Sequence, residues 1–179
     1  MITREIVIGF SKGEKAAFDK IYAAFSASMF GVCLRYARCR DDAQDMLQES
    51  FIKLYNSRES INIEMPIAPW LKTITIRTAL NYIKKNYSDI LVENELMFDE
   101  AIMEIENEVD KQELMEKLIK ILQQLPDGYR TVFNLYTIDN LTHKEIAEYL
   151  SISEGTSKSQ YFKAKKMIQE LLAVEKQLL

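Results

Sequence analysis

Very little in this 179-residue chain is arranged for covalent or acid–base chemistry. The one histidine, His143, stands beside Lys144 at what reads as a helix start, which suits a surface position or a phosphate contact better than a general base. No serine or cysteine stands in a nucleophile motif, and Gly9, Gly13, Gly31, Gly128 and Gly155 are too scattered to cradle a phosphate. The carboxylates between 88 and 110 lack the ligand spacing and central glycine of a calcium loop. Cys33 and Cys39, six apart on what reads as one helix, fit neither a metal-ligand pair nor a redox motif and are expected to be buried or half-buried free thiols. No enzymatic activity, metal or cofactor is therefore expected. What the residue types do offer is charge, with cations suited to phosphate and carboxylates suited to a basic partner.

The cations at 142–166, THKEIAEYLSISEGTSKSQYFKAKK, stand in a recognisable pattern. Thr142 followed three residues later by Glu145 is a capping box, and Ile146, Ala147, Tyr149 and Leu150 follow at helical spacing. A short polar turn then leads to Ser153, a suitable N-cap for a second, basic helix. Two short helices joined by a tight turn make a helix-turn-helix candidate, with the small Ala147 suited to a close crossing. A second basic helix is expected at 70–86, where Lys72, Arg77, Lys84 and Lys85 are interleaved with Trp70, Leu71, Ile74, Ala79, Leu80 and Ile83. Its lysines fit a phosphate backbone or, equally, the negative end of the helix dipole.

The remaining elements must position these two. Five glycines and three prolines in the whole chain leave long stretches without a helix breaker, and no segment alternates as a strand would. Ser11 and Glu14 read as a capping box for a helix carrying Ala17, Phe18, Ile21, Tyr22 and Phe25, and a separate helix is expected at 27–38. Their aromatic residues read as core, and Arg35, Arg38 and Arg40 as solvated or snorkelling charges. A helix at 41–55 opens on acidic residues and sets Gln44, Asp45, Gln48, Glu49 and Lys53 on a polar face, read from pattern alone as solvated. A loop with two prolines covers 56–69. Strong periodicity returns at 111–124, and Pro126 starts a helix through Tyr136.

Net charge of −4 argues against a nucleic-acid binder until it is divided along the chain. Residues 1–87 hold 13 Lys and Arg against 9 Asp and Glu, 88–110 hold 9 acidic residues and no basic one, and 111–179 hold 10 basic against 9 acidic. The acidity sits in one segment without cations for i,i+4 pairing, which reads as a tether that orders on binding. No secretion signal is evident in the first ten residues and no apolar run approaches the length of a bilayer span, so a cytoplasmic protein without membrane insertion is expected.

Five motifs in one order carry a resemblance. Asp42-Ala43-Gln44-Asp45-Met46-Leu47-Gln48-Glu49-Ser50-Phe51 is followed by the Trp70-Leu71 pair at a helix start; then come Leu125, Pro126 and Arg130, then Glu145 to Leu150, then Glu154 to Ser159. The chain resembles an RNA polymerase sigma factor of the extracytoplasmic-function (ECF) group, which keeps only conserved regions 2 and 4. The resemblance implies an all-α chain of two small helical domains: a region 2 bundle at 1–87, an acidic linker at 88–110 and a region 4 helix-turn-helix at 111–179. It implies a promoter-specificity subunit that binds core RNA polymerase through its β′ clamp and β flap, recognises the −35 and −10 elements of promoter DNA, initiates transcription and is held inactive by an anti-sigma factor. Carried over by position, Asp45, Gln48 and Glu49 would contact the polymerase clamp. Lys72, Arg77, Lys84 and Lys85 would hold the −10 DNA, with a flipped base captured in the 56–69 loop. His143, Lys144, Thr156, Lys158, Ser159, Phe162 and Lys163 would meet the −35 element, the first two on phosphate. The acidic linker would pass through the polymerase's RNA path.

Four positions depart from the family pattern. Ser157 stands where Val is usual, so packing under the recognition helix is expected to be less apolar, and Gln160 and Lys163 stand where arginines are common. Loss of a bidentate guanidinium contact is worth roughly 1–3 kcal/mol of base discrimination, which implies a different −35 preference. Arg77 replaces an Asn near the flipped-base pocket. The rival reading, a helix-turn-helix regulator that never joins the polymerase, accounts for the basic residues but not for the Asp45, Gln48 and Glu49 face.

Overall fold

The computed structural model describes residues 2–86 and 111–177, which fall in two compact units, Met1–Asn86 and Tyr87–Leu179. Eight α-helices and no strand occur among the described residues. The acidic segment 88–110, read above as a tether, lies outside them.

The first unit begins with a helix that periodicity did not reveal. α1, Arg4–Ser11, buries Val7 and Phe10, and its β-branched run Ile6-Val7-Ile8 reads locally as strand-like. It ends at Gly13, whose φ of +84° is open to glycine, and a Cβ there would lie 3.3 Å from Arg58 Nε. The Ser11–Glu14 capping box is not formed. Ser11 is still inside α1 and its hydroxyl donates to the Ile8 carbonyl (2.8 Å), so the chain enters the next helix at Glu14 without a side-chain cap.

That next helix, α2 (Lys15–Tyr36), is one element where two were expected, because no breaker stands at the supposed join near Ser26. Its 22 residues include an 18-residue window with a mean hydropathy of 1.2, which makes it long and apolar enough to cross a membrane by length and composition, contrary to the sequence expectation; in the unit it packs on α3 and α4. Arg35 is buried rather than solvated, and Arg40 lies 5.0 Å from the Phe30 ring centroid. Cys33 is buried and burial pushes its thiol up to about 12, whereas Cys39, expected to be at least half-buried on a helix, is exposed in the turn that caps α3.

α3 (Arg40–Asn56) carries Asp41 and Asp42 in its first turn and buries Ala43, Met46, Phe51 and Leu54. A 3-10 turn, Arg58–Ser60, follows. α4 (Ile67–Asn86) starts three residues earlier than expected, with Pro69 in its first turn, where a missing N–H costs no intrahelical bond. α2, α3 and α4 pack on one another around Ile21, Tyr36, Met46, Leu54, Leu71 and Ile83.

In the second unit α5 (Lys111–Gln124) and α6 (Asp127–Phe133) flank Pro126, and a π-helical turn, Asn134–Ile138, extends α6. α7 (His143–Leu150) and α8 (Glu154–Gln177) complete it. Its buried apolar residues are Val132, Leu135 and Ile146 together with a cluster of Ile121, Leu122, Leu125, Ala164 and Ile168, against which Leu118, Tyr129 and Phe133 pack. Polar side chains finish the interior. Arg130, 1% exposed, pairs with the buried Asp127 and donates through Nη1 to the Leu125 carbonyl (3.1 Å), which gives the Leu125-Pro126-Arg130 motif a structural use.

Candidate functional site

On α3, Asp45 and Gln48 are exposed, while Glu49 is half-buried and pairs with Lys53 at 2.7 Å. The spacing i, i+3, i+4 puts all three on one face. Asp45 and Gln48 border a groove floored by Phe18, Tyr22, Phe51, Ile52 and Tyr55. Tyr22 is 44% and Ile52 53% exposed, and the Tyr22 and Phe51 rings meet at 4.7 Å. Tyr22 was counted as core by its stripe; the stripe identifies one side of a helix but not which part a neighbour covers. An apolar floor rimmed by carboxylate and amides suits a protein partner with a basic, partly apolar surface.

On α4, Arg77, Lys84 and Lys85 are exposed and Lys72 is half-buried. Arg77 and Lys84, two turns apart, share a face, whereas Lys72 stands about 140° round the helix from Arg77. The four expected −10 residues are thus not brought to a single stripe. Tyr82 donates to Asp42 at 2.9 Å, tying α4 to the first turn of α3. Burial, then that bond, pushes the phenol up to about 12.

The helix-turn-helix forms as expected. The Thr142 N–H donates to Glu145 Oε2 (2.8 Å) and the Glu145 N–H to Thr142 Oγ1 (3.3 Å); the first of these, then the Thr142 hydroxyl on the same carboxylate oxygen (2.7 Å), hold the Glu145 carboxyl below its usual range. Ser151 takes a left-handed conformation at φ 57° to end α7, and the Thr156 N–H donates to Ser153 Oγ (2.9 Å) to start α8. Ala147 is half-buried at the crossing, and its carbonyl accepts the Ile152 N–H at 3.1 Å.

Thr156, Ser159, Phe162 and Lys163 follow at i, i+3, i+6 and i+7 along one side of α8, all half-buried. Lys158 is exposed and bound to Glu154 at 2.9 Å, which raises the Lys158 pKa and lowers that of Glu154. Lys163 Nζ lies 6.0 Å from the Tyr129 ring centroid, and Lys144 is exposed at the start of α7. Gln160, treated above as a lost base contact, is 4% exposed and lies against Gly128, where a Cβ would come within 3.1 Å of its amide. Ser157 is fully buried and meets His143 Nδ1 at 2.9 Å. His143 is therefore more enclosed than a surface phosphate contact; burial first and Lys158 second lower its pKa.

Fold and faces together define a chain of two helical units, one with an acidic-rimmed apolar groove and one with a basic helix-turn-helix. Residues 21–88 match the model of sigma-70 region 2 and residues 115–168 that of sigma-70 region 4. The chain is 32% identical over 168 residues to the ECF RNA polymerase sigma-E factor of Haemophilus influenzae, covering 88% of each. It is 28% identical over 186 residues to the RNA polymerase sigma-H factor of Pseudomonas aeruginosa, covering 96% of each. Among solved structures it is similar in fold to CnrH in complex with the cytosolic domain of CnrY (TM-score 0.51, 17% identity, covering 97% of this chain and 99% of that one). It is similar too to the sigma factor RpoE in complex with the anti-sigma factor NepR from Bartonella quintana (TM-score 0.51, 19% identity, covering 88% and 97%).

The chain belongs to the ECF sigma factors of the sigma-70 family. It is a promoter-specificity subunit for transcription initiation, a regulator of transcription.

Proposed function

We propose that 1–87 acts as region 2 and 111–179 as region 4, with 88–110 as a linker that follows the polymerase's RNA path, and that the named faces divide the work. Asp45, Gln48 and Glu49 dock on the β′ clamp of core RNA polymerase, with Tyr22 and Ile52 as the apolar part of that contact. Lys72, Arg77, Lys84 and Lys85 hold −10 DNA. Thr156, Lys158, Ser159, Phe162 and Lys163 face the −35 element, with Lys144 at the phosphate side, His143 enclosed behind it, and region 4 on the β flap. The protein works in the cytoplasm under an anti-sigma factor, a partner class seen with the Bartonella quintana relative.

The observation that carries this reading is the acidic-rimmed aromatic groove, which a DNA-only regulator has no use for. The test is reconstitution with core polymerase and promoter-dependent runoff transcription. Charge reversal, Asp45→Lys with Glu49→Lys, is expected to abolish core binding; binding that survives it would remove the clamp assignment.

A further inference from the structure

The histidine at the start of α7 is tied into both helices of the motif. Its Nδ1 lies 2.9 Å from the Ser157 hydroxyl on α8. One ring face lies on Tyr136 of the π-helical turn (4.3 Å between centroids, 15° between planes), and Tyr161 of α8 meets it at 5.7 Å and 63°. Tyr161 stacks in turn on Phe133 (6.1 Å, 18°), so four rings run from α6 through the turn to the two helices.

Ser157 is fully buried, and among the described residues His143 is the side-chain partner of its hydroxyl. A buried hydroxyl needs such a partner, and so does a half-buried imidazole nitrogen. The serine and the histidine therefore form one couple, each satisfying the other. The charged groups around the ring are Lys158 and Glu154 from α8 and Lys144 from α7. Burial and Lys158 outweigh Glu154 and keep the imidazole neutral at pH 7. With Nδ1 committed, the ring offers DNA at most one neutral hydrogen bond through Nε2.

We infer that His143 and Ser157 are positioning residues for promoter reading: their contact, backed by Tyr136 and Tyr161, fixes α8 against the start of α7. It thereby sets the offset between Lys144 on α7 and Lys158 on α8. His143 acts as a neutral ring in this role and not as a cation on phosphate. The inference rests on the −35 role proposed above for α8.

The test uses holoenzyme assembled from the full chain and core polymerase. Runoff transcription is read as the promoter concentration giving half-maximal rate, and as the maximal rate. His143→Phe or Ser157→Val alone leaves one polar group buried and unpaired, and each is expected to raise the half-saturating concentration about tenfold with the maximal rate unchanged. The double variant makes the contact apolar on both sides and is expected to return within about threefold of the unsubstituted chain. Ser157→Ala, which removes the hydroxyl without adding bulk, gives the same direction of change and serves if a larger side chain prevents folding.

Between roughly pH 8 and 7 the half-saturating concentration is expected to stay flat relative to His143→Phe. The dependence on salt is expected to keep the same slope in that variant. Three results overturn the inference: a double variant as weak as His143→Phe, affinity that rises as the pH falls together with a salt slope about one unit shallower in His143→Phe, or single variants that change nothing. If the unsubstituted chain drives no runoff, the promoter-reading role fails before any variant is compared, and the positioning role falls with it.

Discussion

In the first unit the buried hydroxyls of Ser50 and Thr75 bond back to carbonyls of their own helices, Met46 at 2.6 Å and Leu71 at 2.9 Å. In the second unit Arg130 also pairs locally, with Asp127 of its own helix and the Leu125 carbonyl, but Ser157 of α8 reaches across to His143 of α7, fourteen residues away. Apart from the Tyr82–Asp42 bond, the helices of the first unit meet largely through apolar side chains, and the proposed docking groove would extend the same chemistry outward. The second unit is fixed by directional contacts, as suits an element whose pose must be set to fractions of a base-pair step. A docking surface tolerates slack that a reading helix does not.

Substitutions can break that contrast. Arg130→Met leaves Asp127 buried without its cation and is expected to cost the second unit about 3–5 kcal/mol, seen as a lowered thermal transition. Adding Asp127→Leu should restore most of it; a harmless Arg130→Met would mean that the polar interior specifies little. Ile52→Asp should weaken core-polymerase binding about thirtyfold, roughly 2 kcal/mol, as loss of a central apolar contact does. Its own stability should shift by no more than about 0.5 kcal/mol, because the side chain is 53% exposed. Equal loss of stability and binding would place Ile52 in the fold and not in the contact. Thr142→Ala removes the cap of α7 and is expected to cost about 1 kcal/mol in chemical denaturation.

The smallest effect sharpens the apolar side of the contrast. Cys33, pushed up to about 12 by burial, stays protonated at pH 8, so a thiol reagent should label Cys39 at once and Cys33 only on unfolding. The unfolded chain gives up the Cys33 proton near the ordinary thiol pKa while the native chain keeps it. Stability from this group is therefore unchanged below that pKa and falls as the pH rises from there towards about 12. Two thiols labelled at equal rate in the native state would show that the core around Cys33 opens readily.

Much of this was legible in the sequence wherever the determinant is local. The Thr142–Glu145 box, the Ser153 cap and the acidic start of α3 each lie within a few residues, and each is found in place. The Ser11–Glu14 box has the same letters and fails, because Gly13 turns the chain between them. Arg35 and Tyr22 exchanged their expected places because periodicity locates a face, while burial depends on which neighbouring helix covers it. Gln160 reads as a lost base contact, yet it points inward to Gly128; Ser157, expected in the packing under the recognition helix, is buried there, but its partner His143 was not foreseen. Such contacts bridge 14 and 32 positions, and spacing along one helix carries no trace of them.

The exposed ion pair between Glu154 and Lys158 also bears on the DNA contact proposed for α8. A cation that must leave a carboxylate on its own helix gains less from any phosphate, so the pair weakens attachment to all duplex DNA alike. Discrimination is a ratio of affinities and is left intact. A genome offers about 10⁶ or more indifferent sites, and a freely cationic reader would be soaked up by them before it met its enzyme. On the proposed role, a Lys158 held by Glu154 and a net charge of −4 would leave the chain weakly attached to indifferent duplex and so open to capture by polymerase.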